Sequence, residues 1–115
     1  MNITQLKTSF AADKLVAMKF PQMRVSQLAF LKAIALKPGS TQTELCQELG
    51  VTMSAISRNV DVFGTGKAKS ERHKSYGLIE AKRDLDDERL LLINLTDKGR
   101  IFLELLLETS YEHQD

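Results

Sequence analysis

The sequence predicts a mainly α-helical domain that carries one small β-hairpin, an α+β fold class. Two helices with capping residues flank a tight turn at Gly50, in the middle of the chain. Farther on, an acidic turn at 84–88 separates two segments with strand character, 78–83 and 90–95, and a long apolar-rich helix follows. With 115 residues, 43% of them apolar, the sequence predicts a single domain over 1–115 with one core.

The first predicted helix spans 3–19 and ends before Pro21. Ile3, Leu6 and Phe10 lie on one face of this helix at helical spacing. That face packs either on the core of its own chain or on a second copy of the chain. In the second case the helix is a dimerisation element.

A support helix is predicted next. Ser26 is assigned as its N-cap, and Pro38 and Gly39 end it. Apolar residues recur from Leu28 at the spacing of one helical face, as expected of a helix on which the next motif rests.

The stretch from Thr41 to Phe63 has the pattern of a helix-turn-helix. Thr41 and Glu44 form a capping box at the start of its first helix. Gly50 ends that helix because glycine tolerates a left-handed backbone, and Thr52 can cap the second helix. The first turn and outward face of the second helix, which can reach phosphates and base edges, carry Thr52, Met53, Ser54, Ser57, Arg58 and Asp61.

The same motif carries further expectations. Thr41 and Gln42 are predicted to contact DNA where the chain enters the helix-turn-helix. Arg58 has guanine O6 and N7 or a phosphate as its target, and the alternative is a solvated arginine. Cys46 is predicted to be a small buried hydrophobe where the two helices cross, rather than a redox sensor. For the motif as a whole, the alternative to DNA binding is a purely structural helical hairpin.

After Phe63, the segment 64–76 is polar and has neither helical nor strand periodicity. A loop of this length is commonly functional or mobile. We expect its basic residues to add phosphate contacts beside the second helix of the helix-turn-helix, the recognition helix. The alternative is a solubilising loop. These residues are Lys67, Lys69, Arg72 and Lys74.

The last helix, predicted over 97–112 with Thr96 as its cap, has six apolar residues among the seven from 101 to 107. One buried face needs only about half of them. The excess predicts a second contact, which we interpret as a homodimer interface rather than as an unusually buried helix. The predicted interface residues on the two terminal helices are Ile3, Leu6, Phe10, Phe102, Leu103 and Leu106.

Helix, support helix, helix-turn-helix, hairpin and long helix follow one another in the order of a winged helix-turn-helix. The run DERLLLINLTDKG at 87–99 resembles the D-x-R-x-x-x-(V/I)-x-L-T-x-x-G signature of MarR-type regulators. Asp87-Glu88-Arg89 is also similar to the wing of the SarA-type relatives, and the resemblance covers about residues 24–102. It implies a dimeric transcription regulator with its second helix in the major groove and its wing beside the minor groove.

The wing residues predicted to contact DNA are Arg83, Asp87 and Arg89. Asp87 lies two residues before Arg89 and points to the same side of the hairpin, so its carboxylate can hold the guanidinium in one rotamer. An oriented arginine suits a narrow minor groove, where the negative potential is enhanced. The alternative is a surface salt bridge without further consequence.

The chain departs from the family pattern in two places. The segment 64–76 is about ten residues longer than the corresponding segment of the family, and only about twenty residues follow Leu95. A smaller dimer surface than usual is therefore expected. The resemblance also implies that a small-molecule effector can bind near the dimer junction, but no residue in the sequence identifies one.

Several function classes find no support in the sequence. Neither histidine has a Cys or His partner at metal-ligand spacing, no glycine-rich phosphate loop follows a strand, and neither Ser54 nor Ser57 has a histidine close in sequence, so we expect no enzyme, metal or cofactor. The apolar run at 101–107 is too short to cross a bilayer, one cysteine forms no internal disulfide, and the amino terminus has no signal pattern. A cytoplasmic protein is expected.

Net charge is only +1, but the charges are unevenly distributed. Residues 58–83 carry seven basic and three acidic groups, and residues 84–115 carry three and nine, so the acidic end should face away from DNA. The leading hypothesis is a sequence-specific regulator of double-stranded DNA, most simply a repressor. The alternatives are a winged-helix protein interaction module and a DNA-binding replication or partition factor.

Overall fold

The computed structural model of the chain describes residues 1–64 and 76–112. Five helices and two strands form in these ranges, and the predicted fold class is confirmed. The elements in chain order are α1 (Ile3–Lys19), α2 (Val25–Leu36), α3 (Gln42–Leu49), α4 (Met53–Phe63), β1 (Ile79–Arg83), β2 (Leu91–Leu95) and α5 (Asp97–Glu112).

The first helix begins and ends where the sequence predicts. The carboxamide oxygen of Asn2 accepts a hydrogen bond from the backbone N–H of Gln5 at 3.0 Å, which caps α1 at its start. The helix packs mainly along α5, so the two ends of the chain form one helical pair. We call α1 and α5 together the terminal pair.

The start of α2 differs from the prediction. Its N-cap is Arg24, not Ser26, which lies inside the first turn. The cap is provided from within the helix, because the side-chain oxygen of Gln27 accepts the backbone N–H of Arg24 at 2.8 Å. The sequence favoured Ser26 because serine is a common N-cap residue, whereas arginine is not.

The helix-turn-helix forms as predicted. Thr41 and Glu44 exchange hydrogen bonds of 3.2 Å at the start of α3, and Gly50 takes a φ of 65° at its end. Glycine is suited to that left-handed backbone, where a Cβ would be strained. The hydroxyl of Thr52 accepts the backbone N–H of Ala55 at 3.1 Å and caps α4.

The hairpin is antiparallel, with Ile79 opposite Leu95 and Arg83 opposite Leu91. A short segment before α3 extends this sheet on the other side of β2. The backbone N–H of Ile93 donates to the oxygen of Ser40 at 2.9 Å, and the N–H of Gly39 donates to the oxygen of Ile93 at 3.1 Å. The wing is therefore tied to the start of the helix-turn-helix.

One apolar core lies beneath all the elements. It combines the support helix, the inward residues of α3 and α4, the base of the hairpin and the inner face of α5. Its buried members are Val16, Phe30, Leu31, Ala33, Ile34, Leu45, Ile56, Phe63, Leu78, Ile79, Ile93, Phe102, Leu103 and Leu106. In the part of the chain that the structure describes, no helix is both long enough and apolar enough to cross a membrane.

Three of the residues predicted for the dimer interface belong to this core. Phe102, Leu103 and Leu106 are buried within the single chain, so they are not exposed for contact with a second copy. The reason is that α5 contacts α1, and also α2 and β2, so more than one of its faces is covered. Among residues 97–108, the part of α5 whose side chains are described, the large apolar side chains that remain exposed are Ile101 and Leu107.

Candidate nucleic-acid interface

The outward face of α4 consists of polar side chains. Ser54, Ser57, Arg58 and Asp61 are exposed, as predicted, while Ile56 and Phe63 on the opposite face are fully buried. Burial of these two anchors fixes which face of α4 turns to solvent, because a rotation of the helix would expose them. The helix thus presents one arginine and several short hydrogen-bonding side chains.

Residues at the two helix starts have structural contacts as well. The hydroxyl of Thr41 accepts the backbone N–H of Glu44, and the side chain is half-buried, as is that of Gln42. The hydroxyl of Thr52 is used in the cap of α4. Their backbone positions place them at helix N-termini, where N–H groups favour phosphate oxygens.

An ion pair braces the start of α3 from outside. The ammonium group of Lys37 contacts a carboxylate oxygen of Glu44, whose other oxygen accepts from Thr41. The pKa of Glu44 is held below its usual value, first by the hydrogen bond from Lys37 and then by the hydrogen bond from the backbone N–H of Thr41. Glu44 therefore stays ionised and keeps its place in the capping box at neutral pH.

Cys46 is half-buried, not buried as predicted. Its Sγ lies 3.2 Å from the Sδ of Met53, so the crossing of α3 and α4 has a sulfur contact at its edge. Met53 is about half exposed in the first turn of α4. The prediction of full burial was wrong, since the thiol lies at the edge of the crossing beside the half-exposed Met53.

Near the tip of the wing, Asp87 and Arg89 form a bidentate pair. The Nε of Arg89 donates to Oδ1 of Asp87 at 3.0 Å, and Nη2 donates to Oδ2 at 3.1 Å. The backbone N–H of Arg89 also donates to Oδ1 at 3.1 Å. Arg89 holds the pKa of Asp87 below its usual value, and Asp87 raises the pKa of Arg89. The guanidinium is oriented although the arginine side chain is 90% exposed.

The turn between the strands is held by its own backbone. The N–H of Asp84 donates to the oxygen of Leu90 at 3.0 Å, and the N–H of Leu90 donates to the oxygen of Asp87. Arg83, predicted to contact DNA, donates from Nη1 to the oxygen of Glu88 at 3.3 Å. Its guanidinium thus supports the turn that carries Asp87 and Arg89.

The sequence did not reveal two features of this surface. Leu85 is fully exposed at the wing tip, and the pairing of Ser40 with Ile93 links the wing to α3. A pairing of two residues is too short to produce an alternating pattern, so the sequence held no signal for it.

Some predicted residues are not part of this description. Lys67, Lys69, Arg72 and Lys74 lie outside the described residues. Within residues 1–64 and 76–112, no three His, Cys, Asp or Glu side chains are grouped in a way that could hold a metal ion.

Solved structures of similar shape are numerous, although neither a family model nor a curated protein matches the sequence. One is the S. aureus MepR–DNA complex, with a TM-score of 0.74 and 21% identity over 98% of this chain and 83% of that one. Another is a mutant MarR of E. coli complexed with operator DNA, with a TM-score of 0.65 and 21% identity over 93% of this chain and 68% of that one. A transcriptional regulator of Thermotoga maritima aligns with a TM-score of 0.68 and 20% identity, over 96% and 66% of the two chains. The chain therefore has the winged-helix fold of the MarR-type proteins.

Proposed function

We propose that this chain is a sequence-specific regulator of transcription that binds double-stranded DNA as a homodimer in the cytoplasm. The observation that carries the proposal is the pair at the wing, in which Asp87 orients the exposed guanidinium of Arg89. A surface ion pair contributes little to folding, so a bidentate pair on an exposed turn favours a role in contact with a ligand. A narrow minor groove is the site that such a fixed cation suits.

The outward face of α4 supports the same proposal. Arg58 can form bidentate bonds to O6 and N7 of a guanine or contact a phosphate, and Ser54 and Ser57 can hydrogen-bond to either. All three are exposed on a helix whose opposite face is locked in the core. The helix is 11 residues long and can lie in a major groove. In MepR and MarR, the same fold is seen in complex with DNA.

The distribution of charge fits one orientation on the duplex. Arg58 on α4 and the oriented Arg89 on the wing belong to the half of the molecule that we place on DNA. The exposed carboxylates of α5, Glu104 and Glu108, belong to the terminal pair. We infer that the terminal pair faces away from the phosphates, because carboxylates are repelled by them.

Dimerisation is proposed from the terminal pair. Ile3, Leu6 and Phe10 are all more than half exposed on α1. They lie one turn apart along one face, and a row of exposed large apolar residues marks a binding surface. A two-fold dimer through this row carries two copies of α4 to half-sites about one helical turn apart. Such a complex represses by covering a promoter.

The test is selection from a random duplex pool, followed by fluorescence anisotropy on the enriched site at several salt concentrations. We expect an enriched inverted repeat, bound with a steep salt dependence, and an affinity loss of about tenfold or more for Arg89→Ala. The matched control is Lys32→Ala, which removes one exposed positive charge from α2, outside the wing, α4 and the proposed dimer row. It should leave the affinity within about twofold of wild type, since a remote surface charge contributes little.

Two results would count against the proposal. An equal loss of affinity in the Arg89→Ala and Lys32→Ala variants would mean that only net charge matters and that the wing has no special contact. The absence of any enriched duplex, with weak binding at low salt alone, would favour the protein interaction module. Circular dichroism of each variant establishes that it is folded.

A further inference from the structure

Five aromatic residues form a continuous row through the centre of the molecule. The ring of Tyr76 lies between two of them, with centroids 4.9 Å from Phe20 and 5.2 Å from Phe63. Phe102 meets Phe20 edge to face at 4.9 Å on one side, and Phe30 stacks on Phe63 at 5.9 Å on the other. The row thus runs from the terminal pair, through Tyr76 and the end of α4, to Phe30 on α2.

Tyr76 is also held by its backbone on both sides. Its N–H donates to the oxygen of Val62, in the last turn of α4, at 2.9 Å. Its oxygen accepts from the Nζ of Lys98, in the first turn of α5, at 2.9 Å. One residue therefore contacts the C-terminal end of the recognition helix and the N-terminal end of the last helix.

These contacts matter because the terminal pair and α4, the two bodies that they join, share one core through α2 and β2 but have no extensive contact with each other among the described residues. The most extensive contacts of α1 are with α5, whereas those of α4 are with α3 and β1. The ring of Tyr76 fills the space between Phe20, just after α1, and Phe63, the last residue of α4. Aromatic rings are rigid and have few rotatable bonds, so a ring in this position limits the angle between the two bodies.

We propose that Tyr76 is a positioning residue that sets the direction of the recognition helix relative to the terminal pair. This inference rests on the proposed function, in which a second copy binds the terminal pair and DNA binds α4. The distance and angle between the two copies of α4 in a dimer then depend on the junction at Tyr76. Tyr76 therefore affects DNA binding through the selectivity of the dimer for the spacing between half-sites.

The ring, not the hydroxyl, carries this role. Among the hydrogen bonds of residues 1–64 and 76–112, none involves the hydroxyl of Tyr76, while its ring has two aromatic neighbours. Tyr76→Phe is therefore the conservative variant that should behave like wild type. Tyr76→Leu keeps an apolar side chain but removes the flat surface between Phe20 and Phe63.

The first measurement needs no DNA. Spin labels are attached through Ser57→Cys on α4 and Glu104→Cys on α5, both exposed, in a Cys46→Ala background. Labelled chains are diluted with unlabelled chains so that only distances within one chain are recorded. We expect one narrow distance distribution for wild type and Tyr76→Phe, and a broadened or shifted distribution for Tyr76→Leu.

The second measurement uses the selected inverted repeat and duplexes whose half-sites are one base pair closer or farther apart. One base pair turns a half-site by about 34°, so a rigid dimer should prefer its own spacing by about tenfold. We expect this preference to persist in Tyr76→Phe and to fall below about threefold in Tyr76→Leu, because a looser junction adapts to both spacings. Affinity for a single half-site should change by less than about twofold.

The outcomes separate the inference from the proposed function. An unchanged distance distribution in Tyr76→Leu overturns the inference whether or not the chain binds DNA. A broadened distribution in a chain that binds no duplex supports the junction but removes DNA binding as its purpose. A lower melting temperature with unchanged distances and unchanged spacing preference shows a merely structural role and also overturns the inference. If Tyr76→Leu does not fold, Phe20→Leu, which removes the neighbouring ring, is judged by the same criteria.

Discussion

In the bidentate pair of Asp87 and Arg89, the carboxylate lowers the conformational entropy that the guanidinium would lose on binding. A free arginine on a surface turn samples many rotamers, and fixing one of them on binding costs conformational entropy. Here Asp87 of the same chain accepts from both Nε and Nη2 of Arg89 and so restricts the guanidinium. Part of that entropic cost is thereby removed from the binding step.

Replacing Asp87 gives a test whose sign distinguishes this mechanism from general electrostatics. Asp87→Ala removes a negative charge from a surface proposed to face phosphates, which by charge alone would strengthen DNA binding. We expect instead a loss of about threefold to tenfold, because Arg89 is no longer oriented. Anisotropy titrations on the selected duplex measure the change.

The neighbouring Asp86 provides the matched control. Asp86→Ala removes the same charge, but its carboxylate has no part in the hydrogen bonds of Arg89. Its affinity should equal or exceed that of wild type. A gain in affinity for both variants would contradict the orienting role of Asp87.

The pair also makes a prediction about pH. Because Arg89 lowers the pKa of Asp87, the folded carboxyl ionises at lower pH than the unfolded one. Its contribution to stability is therefore present above the unfolded value of about 3.9 and is lost as the pH falls through the lower folded value. In an NMR titration, the Asp87 carboxyl carbon should have its midpoint below about pH 3.9. The ratio of the DNA affinities of wild type and Arg89→Ala should stay constant from about pH 5 to 8, where the carboxyl is ionised. A midpoint at or above the unfolded value would exclude a persistent pair.

At the scale of single residues, local spacing was sufficient for some predictions and not for others. Asp87 and Arg89 are two apart at the end of a hairpin, so the sequence itself places them on one side. The partner of Arg83 is a backbone oxygen, that of Glu88, and a backbone oxygen leaves no trace in a sequence. The degree of burial of Cys46 depends on how α3 packs against α4, which helical periodicity does not specify.

Among the elements, the start of α5 is held closely against the segment that leads into β1. The N–H of Thr96 donates to the oxygen of Leu78 at 3.0 Å, and the hydroxyl of Thr96 donates to the oxygen of Gly77 at 2.7 Å. The backbone of α5 then passes so close to Leu78 that a Cβ on Gly99 would lie 2.0 Å from its oxygen. The glycine of the L-T-x-x-G run is thus required by a close approach of two backbones.

This approach reverses the usual effect of a glycine-to-alanine change in a helix. Alanine normally stabilises a helix interior by about 0.5–1 kcal/mol relative to glycine. For Gly99→Ala we expect a destabilisation of at least about 2 kcal/mol, because backbone atoms must move apart to admit the methyl group. Urea denaturation followed by circular dichroism measures it.

Gly39→Ala is the control for this substitution. Gly39 has a φ of 77° but open space around its Cβ position, so alanine there costs only the backbone strain of about 1–2 kcal/mol. If Gly99→Ala were as stable as wild type, α5 could shift away from Leu78 at little cost, and the proposed close contact would not constrain it.

The capping box of α3 allows a second test at the scale of elements. Thr41→Ala removes the acceptor for the backbone N–H of Glu44 and should destabilise the fold by about 1 kcal/mol. The control is Thr43→Ala, at the exposed second residue of the same helix. It should be neutral or slightly stabilising because alanine has the higher helix propensity. Equal stabilities of the two variants in thermal unfolding would show that the cap contributes nothing.

The elements were predictable where a cap or a period marks them. The predicted caps and stop act at or beside element ends, namely Thr41, Gly50, Thr52 and Thr96, and the helices α1, α3 and α4 begin and end close to their predicted limits. Arg24 was missed because its cap comes from Gln27 inside the helix, not from its own side chain. Contacts between elements distant in sequence, such as Gly99 with Leu78, have no local pattern.

For the whole molecule, the apolar excess of α5 had two interpretations that the sequence could not separate. Phe102, Leu103 and Leu106 could face a second copy or the core, since helical periodicity gives the face and not its partner. The structure turns them to the core and leaves Ile3, Leu6 and Phe10 of α1 exposed. Replacing Leu103 or Leu106 by a charged residue would therefore unfold the chain before it could report on an interface.

A test of the dimer must instead use the exposed row on α1. Leu6, 51% exposed, lies between Ile3 and Phe10 at the centre of this row. A carboxylate at the centre of an apolar interface is desolvated without a partner, so we expect Leu6→Glu to raise the dimer dissociation constant by about tenfold or more. Sedimentation equilibrium of wild type and variant measures the constant.

Leu36→Glu supplies the control, because Leu36 is an apolar residue of α2 that is 85% exposed and lies outside the terminal pair. It adds the same charge and removes a side chain of the same size, and it should leave the dimer constant within about twofold of wild type. Comparable weakening by both substitutions would mean that net charge, and not the row on α1, governs association. A dimer that resists Leu6→Glu but is weakened by Leu36→Glu would place the interface on the support helix, and the two copies of α4 would then no longer be spaced by the terminal pair.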